Sequence, residues 1–171
     1  IYKGEEGEYD LPFIDEASVR NSVTTAVVAL HLGLSRELLA ERMKNLEPVA
    51  MRLEVKEGQH GCTLINDSYN SDINSLDIAL DFMSRRPDHN GRKRTLILSD
   101  IYQTGEPLDR LYKEVSNLCV QRGVNKIIGV GPQIMEHADL IKVQEKFFFH
   151  DVTSFIHSTV FESLRDEVIL I

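Results

Sequence analysis

The chain is 171 residues long, with 19 basic and 27 acidic side chains and a formal net charge of −8. That length supports one compact domain with an appended piece. An apolar share of 42% with 27% charged residues is ordinary globular usage and excludes disorder or a collagen-like architecture. No apolar run reaches the roughly 18–20 residues of a membrane span, so no membrane insertion is expected, and the acidic balance argues against nucleic acid as a partner. Cys62 and Cys119 form neither a disulfide framework nor a zinc site, and read as reduced thiols of a cytoplasmic protein. The sequence starts at Ile1 without a signal-peptide pattern and stops at Ile171 inside an apolar run; it reads as a piece of something longer.

Residues 1–14 are acidic and lack a helical period, and Leu11, Pro12 and Phe13 suggest a short extended arm. A helix follows, with Asp15 or Ser18 as candidate N-cap. Val23, Val27, Leu30 and Leu34 recur at helical intervals, so that face should be buried, and Gly33 ends the helix. Ser35 caps a second helix with the apolar stripe Leu38, Leu39, Met43 and Leu46, which Pro48 closes. At Met51 the period changes. Leu53 and Val55, then Thr63, Leu64 and Ile65, read as a hairpin with Gly58 and Gly61 flanking its turn.

The polar run Asn66–Asp67–Ser68 then leads into a helix over residues 73–85 that buries Ile73, Leu76, Leu80 and Met83. Residues 95–98 form an apolar strand, and Leu108, Leu111, Val115 and Leu118 line a helix ended by Gly123. Further along come a strand at 126–130, a helix at 132–140 and a strand at 147–149. Thr153 caps a helix running through Leu164, and 168–171 is a last strand. Short apolar strands alternating with helices define the class as α/β: a Rossmann-like, mostly parallel sheet with an N-terminal hairpin and a preceding helical pair. Residues 1–49 are the helical appendage and 50–171 the α/β domain.

Ligands of an open parallel sheet bind outside the carboxyl ends of its strands. Three polar clusters fall there: Asn66–Asp67–Ser68–Tyr69–Asn70, Ser99–Asp100 and Gly129–Val130–Gly131. A carboxylate at such a place can accept hydrogen bonds from ribose hydroxyls, and an adjacent helix N-terminus favours an anion; alternatively Asp67 and Ser68 cap the helix and Tyr69 packs on the sheet. Asp100 reads as a general base, a cation ligand or, as the default, a cap for the helix starting at Glu106–Pro107. Gly129–Val130–Gly131 reads as a tight turn, and no G-x-x-x-x-G-K-[ST] phosphate loop is present. The histidines are scattered without metal-ligand spacing. Arg85, Arg86, His89, Arg92, Lys93 and Arg94 make a basic loop, either solvated or a contact for an anionic partner.

The run Met51-Arg52-Leu53-Glu54-Val55, then Leu64-Ile65-Asn66-Asp67-Ser68-Tyr69-Asn70, with Asn74-Ser75-Leu76 and Ala79-Leu80 behind it, resembles the C-terminal domain of the Mur ligases. Ile97-Leu98-Ser99-Asp100-Ile101, closing at Gly105, is similar to that family's V-L-G-D-M…E-L-G segment. Asn21, with the Ala/Val-rich helix and Gly33-Leu34 after it, matches the second asparagine of the family's H-N-x-x-N-A-x-x-A helix. The D-S-Y-N run is most similar to the branch that joins D-alanyl-D-alanine to UDP-N-acetylmuramoyl-tripeptide.

The resemblance implies that residues 1–49 are the last helices of the central, ATPase domain and 50–171 the C-terminal domain. It also implies an amide ligase of cell-wall (peptidoglycan) synthesis that uses ATP and Mg2+, both held mainly by the central domain. Asn21 would bond adenine, Asp67 the ribose hydroxyls and Arg52 the phosphates. Tyr69 and Asn70 would line the nucleotide site, and Ser99 and Asp100 would lie near the incoming dipeptide. No catalytic residue and no metal ligand fall in this stretch, so the piece alone is expected to be inactive, with the remaining domains of the same chain as its partners. A branch with the Asn66–Asp67–Ser68–Tyr69–Asn70–Ser71 pattern carries an alanine racemase fused behind the ligase, which would add pyridoxal phosphate. Ala17–Ser18 stand where the family has His-Asn, Asp72–Ile73 where it has Asn-Pro, and Gln103 and Tyr112 where it has Glu and His. The rival readings are another amide ligase of the same superfamily and a non-catalytic α/β binding module.

Overall fold

The computed structural model describes residues 4, 6–14, 16–47, 52–68, 72–86, 91–102 and 105–171. Asp15, Pro48, Met51, Tyr69, Asn70, His89 and Gln103 lie outside them. The chain divides into two compact units, Ile1–Val49 and Ala50–Ile171.

The first unit is a helical hairpin, α1 (Glu16–His31) and α2 (Arg36–Lys44). Ser18 is not the N-cap of α1; it sits inside the first helical turn. Gly33, at φ 93°, closes α1 with bonds from its own N–H to Leu30 O and from Leu34 N–H to Ala29 O. That left-handed closure suits a residue without Cβ. Ser35 caps α2 through Leu38 N–H, as the sequence predicts. The buried face of α1 is not the valine stripe. Val23 and Val27 are 53% and 42% exposed, while Ser22 and Ala26 are buried. The small side chains let α1 approach the bulky Leu39 and Met43 of α2, with Leu30 and Leu34 beside them. Close packing of large against small residues outweighs hydrophobic periodicity here.

The second unit is one sheet in the order β1-β2-β6-β3-β4-β5. Its strands are β1 (Glu54–Glu57), β2 (Thr63–Asn66), β3 (Lys93–Ser99), β4 (Lys126–Val130), β5 (Glu145–Phe149) and β6 (Glu167–Leu170). β1 and β2 form the expected antiparallel hairpin, and β2, β6, β3, β4 and β5 run parallel. Period-2 alternation divides the core in two. Ile65, Leu96, Leu98, Ile127, Val168 and Leu170 face α3 (Ile73–Arg85), α4 (Leu108–Gln121) and α5 (Pro132–Glu136). Ile128, Val130 and Ile169, with Ile97, face the short α6 (Val152–Ile156) and α7 (Thr159–Glu162).

Two predicted helices are broken. The 132–140 helix stops at Glu136 and continues as a 3-10 turn, Ala138–Leu140, and Lys146 Nζ donates to Ala138 O and Ile141 O there. The 153–164 helix is two helices. Asp151, not Thr153, caps α6 through a reciprocal capping box with Ser154. Ser158 then ends α6 by donating to Phe155 O and starts α7 by accepting from Phe161 N–H. A serine that can serve a carbonyl and an amide at once favours such a break. No described helix is long and apolar enough to cross a membrane.

Candidate functional site

Parallel pairing brings the carboxyl ends of β2, β3, β4 and β6 to one edge of the sheet, and a cavity of about 390 Å³ opens there. Asp67, Ser68, Asp72 and Ser99 form its polar lip, and Ile97, Val130, Phe155, Ile156 and Phe161 are part of an apolar wall. An apolar cleft with a few convergent polar groups at this edge is the usual form of a ligand site in an open α/β sheet. Ile97 and Val130 of this wall come from β3 and β4, and its remainder includes residues of α6 and α7, whose Ile156 and Phe161 stay partly exposed. The sequence reading did not single those residues out, because a helical stripe looks the same whether it covers a core or a ligand.

Asp67 does not cap α3. Asp72 does, accepting from Asn74 N–H and Ser75 N–H at 3.0 Å each and from Ser75 Oγ at 2.6 Å. These bonds from Ser75, the side-chain one first, hold the Asp72 carboxyl below its ordinary value. A D-x-x-S run before an apolar period is a capping signal that was present in the sequence. Ser68 is bound by Asn66, whose Oδ1 accepts from Ser68 N–H and Oγ. Asp67 is left to a different task. Its backbone N–H donates to Ile171 O at 2.8 Å, which extends the β2–β6 pairing. Its Oδ1 accepts from Leu53 N–H at 3.0 Å. Leu53 has φ 48°, a left-handed conformation that costs an ordinary residue about 1–2 kcal/mol. The ladder ends at Glu54↔Asn66, and the Leu53–Asp67 bond joins the two chain segments just beyond it. Arg52 itself is exposed.

Ser99 lies exposed on the cavity lip, but Asp100 is only 3% exposed. It is a cap, though not for the predicted helix. α4 begins after Pro107 with no side-chain cap, and Asp100 instead accepts from Gln133 N–H at 3.1 Å and Ile134 N–H at 2.8 Å at the start of α5. Gly131 is therefore more than a tight turn. Its φ is 146°, and a Cβ there would stand 2.5 Å from the Asp100 carboxylate. Beside this contact Tyr112 is fully buried and stacked on His137 at 5.1 Å. Burial first, and then the charge of Asp100, push the Tyr112 hydroxyl well above the ordinary tyrosine value.

Among the described residues, the charged side chains lining the cavity are Asp67 and Asp72, both acidic. The cavity thus suits hydroxyl or amine donors better than phosphate oxygens, and a phosphate chain would need cations from outside it, such as Arg52. No cluster of three metal-binding side chains occurs among the described residues. The sequence-predicted Asp67 and Ser99 share one cavity, and Arg52 is an exposed residue two positions before β1. Asp100 is withdrawn behind it, and Asn21 is an exposed residue of α1 in the other unit. Tyr69 and Asn70 fall outside the described residues.

The fold, a mostly parallel six-stranded sheet behind an antiparallel hairpin, is that of the C-terminal part of Mur ligases. The Acinetobacter baumannii MurF structure matches 95% of this chain and 36% of its own at a TM-score of 0.75 and 19% identity. MurF ligase from Thermotoga maritima, solved in complex with ADP, matches 92% of this chain and 35% of its own at a TM-score of 0.71 and 17% identity. In sequence, the chain is similar to the UDP-N-acetylmuramoyl-tripeptide–D-alanyl-D-alanine ligase of Bacillus subtilis (strain 168), 23% identical over 129 residues, which are 75% of this chain and 28% of that one. The ligase of the same name from Mycobacterium tuberculosis (strain ATCC 25618 / H37Rv) is 27% identical over 130 residues, 74% of this chain and 25% of that one. The chain thus spans about a quarter of the length of the curated relatives it matches. No family model matches it.

Proposed function

We propose that this chain is the C-terminal region of a cytoplasmic, ATP-dependent amide ligase that adds D-alanyl-D-alanine to UDP-N-acetylmuramoyl-tripeptide in peptidoglycan-precursor synthesis. The observation that carries the reading is Asp67. It sits on the lip of the cavity at the sheet's carboxyl edge, in a chain whose relatives are ligases of that specificity. In the reaction the γ-phosphoryl group of ATP passes to the tripeptide's terminal carboxylate, leaving ADP and an acyl phosphate. The dipeptide amine attacks that carbonyl, and the tetrahedral intermediate loses inorganic phosphate and a proton to give the amide. Mg2+ and the phosphate loop would be held by a central domain, where the metal would supply charge neutralisation for phosphoryl transfer.

In this reading Asp67 accepts the ribose hydroxyls, Arg52 neutralises phosphate charge, Asn21 bonds adenine, and Tyr69 and Asn70 complete the nucleotide site. Ser99 faces the dipeptide, and Asp100 acts behind it by fixing the start of α5 to the end of β3. The acidic lip suits the dipeptide's amine, and the apolar wall suits its methyl groups. An alanine racemase fused behind the ligase would supply D-alanine for the dipeptide; pyridoxal-phosphate absorbance in the full-length protein tests for it.

The central test measures ADP formation by the full-length enzyme with both substrates, wild type against Asp67→Ala. A hydrogen bond to a charged group is worth about 1.5–3 kcal/mol, so the KM for ATP should rise by about tenfold or more. An unchanged KM for ATP removes the ribose assignment, and no dipeptide-dependent turnover in the wild type removes the substrate assignment.

A further inference from the structure

We propose that Leu53 is a positioning residue of the nucleotide site, its left-handed backbone locking Arg52 and Asp67 into one rigid corner. The proposal rests on the reading that Asp67 and Arg52 hold the nucleotide. Hairpin pairing stops at Glu54 and Asn66. Beyond it the two strands are joined by a side chain in place of the backbone ladder: Asp67 Oδ1 takes the Leu53 N–H at 3.0 Å. The Asp67 backbone N–H is used on the other side, by Ile171 O. One aspartate therefore ties the start of β1 and the end of β2 to the end of β6.

Leu53 is gripped at both ends. Its N–H is held by the carboxylate, and its side chain packs, partly buried, against the main core. Between those anchors the backbone turns through φ 48°, a region that glycine, asparagine or aspartate adopt far more readily than leucine. A left-handed leucine persists only where its surroundings over-determine it, and such positions concentrate at ligand sites. The consequence is directional. The bond from Leu53 N–H fixes the orientation of the Asp67 carboxylate. The same turn sets the direction in which the backbone runs at Arg52, the next residue back. The carboxylate thus meets a nucleotide already oriented, which lowers the ordering cost at binding.

The test compares Leu53→Ile with Leu53→Met in the full-length ligase. Leu53→Ile keeps the volume and moves only the branch, to Cβ, where a left-handed backbone is a genuine outlier. Leu53→Met keeps an unbranched Cβ. The expected result is a KM for ATP raised about tenfold in Leu53→Ile, with kcat within about twofold, and the wild-type KM retained in Leu53→Met. In the 171-residue chain, amide exchange at Leu53 should speed up in Asp67→Ala and stay slow in Asp67→Asn, which keeps the acceptor. A lowered melting temperature in Leu53→Ile with an unchanged KM for ATP makes Leu53 merely structural and overturns the proposal. Equal exchange at Leu53 in wild type and Asp67→Ala also overturns it. If Asp67→Ala itself leaves the KM for ATP unchanged, the nucleotide reading fails and takes this proposal with it. If that variant raises KM and Leu53→Ile does not, the positioning role alone fails.

Discussion

Asp72 carries the sharpest prediction for a single residue. Its carboxylate accepts two backbone amides and the Ser75 hydroxyl at the start of α3, and replacing such a cap by alanine costs about 0.5–2 kcal/mol. Because its folded value is depressed, the charge-dependent part of that stabilisation is fully present above the unfolded aspartate value near 4. It is lost as pH falls through the lower folded value. Urea denaturation should therefore show Asp72→Ala less stable at pH 7, with a smaller difference at pH 3; an equal difference at both would contradict the assignment. Asp67 was singled out in the sequence together with Ser68 as a ligand residue or a cap, whereas the D-x-x-S signal at Asp72 went unread. The bonds of Asp72 to Asn74 and Ser75, and that of Asp67 to Leu53, 14 residues away, separate the two roles.

At the scale of elements, the two faces of the sheet are unequally covered. α3, α4 and α5 cover one face with a continuous apolar core. The other has the short α6 and α7 toward the carboxyl edge, and at the amino edge its inward positions turn charged. There Lys126 Nζ meets Glu167 Oε1 at 2.5 Å with both side chains 6% exposed. Thr95 Oγ1 donates to the second oxygen of Glu167, and Lys93 pairs with Glu145. That pairing raises the Lys93 value and lowers that of Glu145. Lys93, Lys126, Glu145 and Glu167 line another cavity, of about 650 Å³, at the opposite edge from the candidate site.

Glu167→Ala would leave Lys126 buried without its partner and should destabilise by about 3–5 kcal/mol. Replacing all three members, as Thr95→Val, Lys126→Met and Glu167→Leu together, should be neutral or stabilising. Equal losses in the single and the triple variant, measured by denaturant unfolding, would show that the charges themselves are what the fold requires. Strand positions and the parallel pattern were legible because short apolar runs alternate with helical periods. The helix ends at 136 and 156 were not, since a helical period does not register a serine such as Ser158 that turns back on the carbonyl three residues before it.

For the whole molecule, the proposed chemistry needs a phosphate loop, and none of the 171 residues forms one. The chain by itself should therefore show no dipeptide-dependent phosphate release and weak or undetectable binding of ATP by titration calorimetry. Turnover by the isolated chain, or micromolar binding, would move the phosphate-binding machinery into these residues and overturn the division of labour proposed here.

The sequence by itself determined the α/β class, the hairpin and the order of strands and helices; it also placed Asp67 and Ser99 in polar clusters at strand ends, while Arg52 was singled out by the family resemblance alone. Periodicity and short motifs are local, and the sheet's direction follows from them. Only the tertiary structure decided that Ser22 and Ala26, not the valines, are the buried face of α1. It also decided that Asp100 caps α5, that Asp67 holds a left-handed Leu53, and that Phe155, Ile156 and Phe161 wall a cavity. Each of these depends on which groups from distant parts of the chain meet, and neither charge, period nor spacing encodes that meeting until strands far apart in sequence lie side by side.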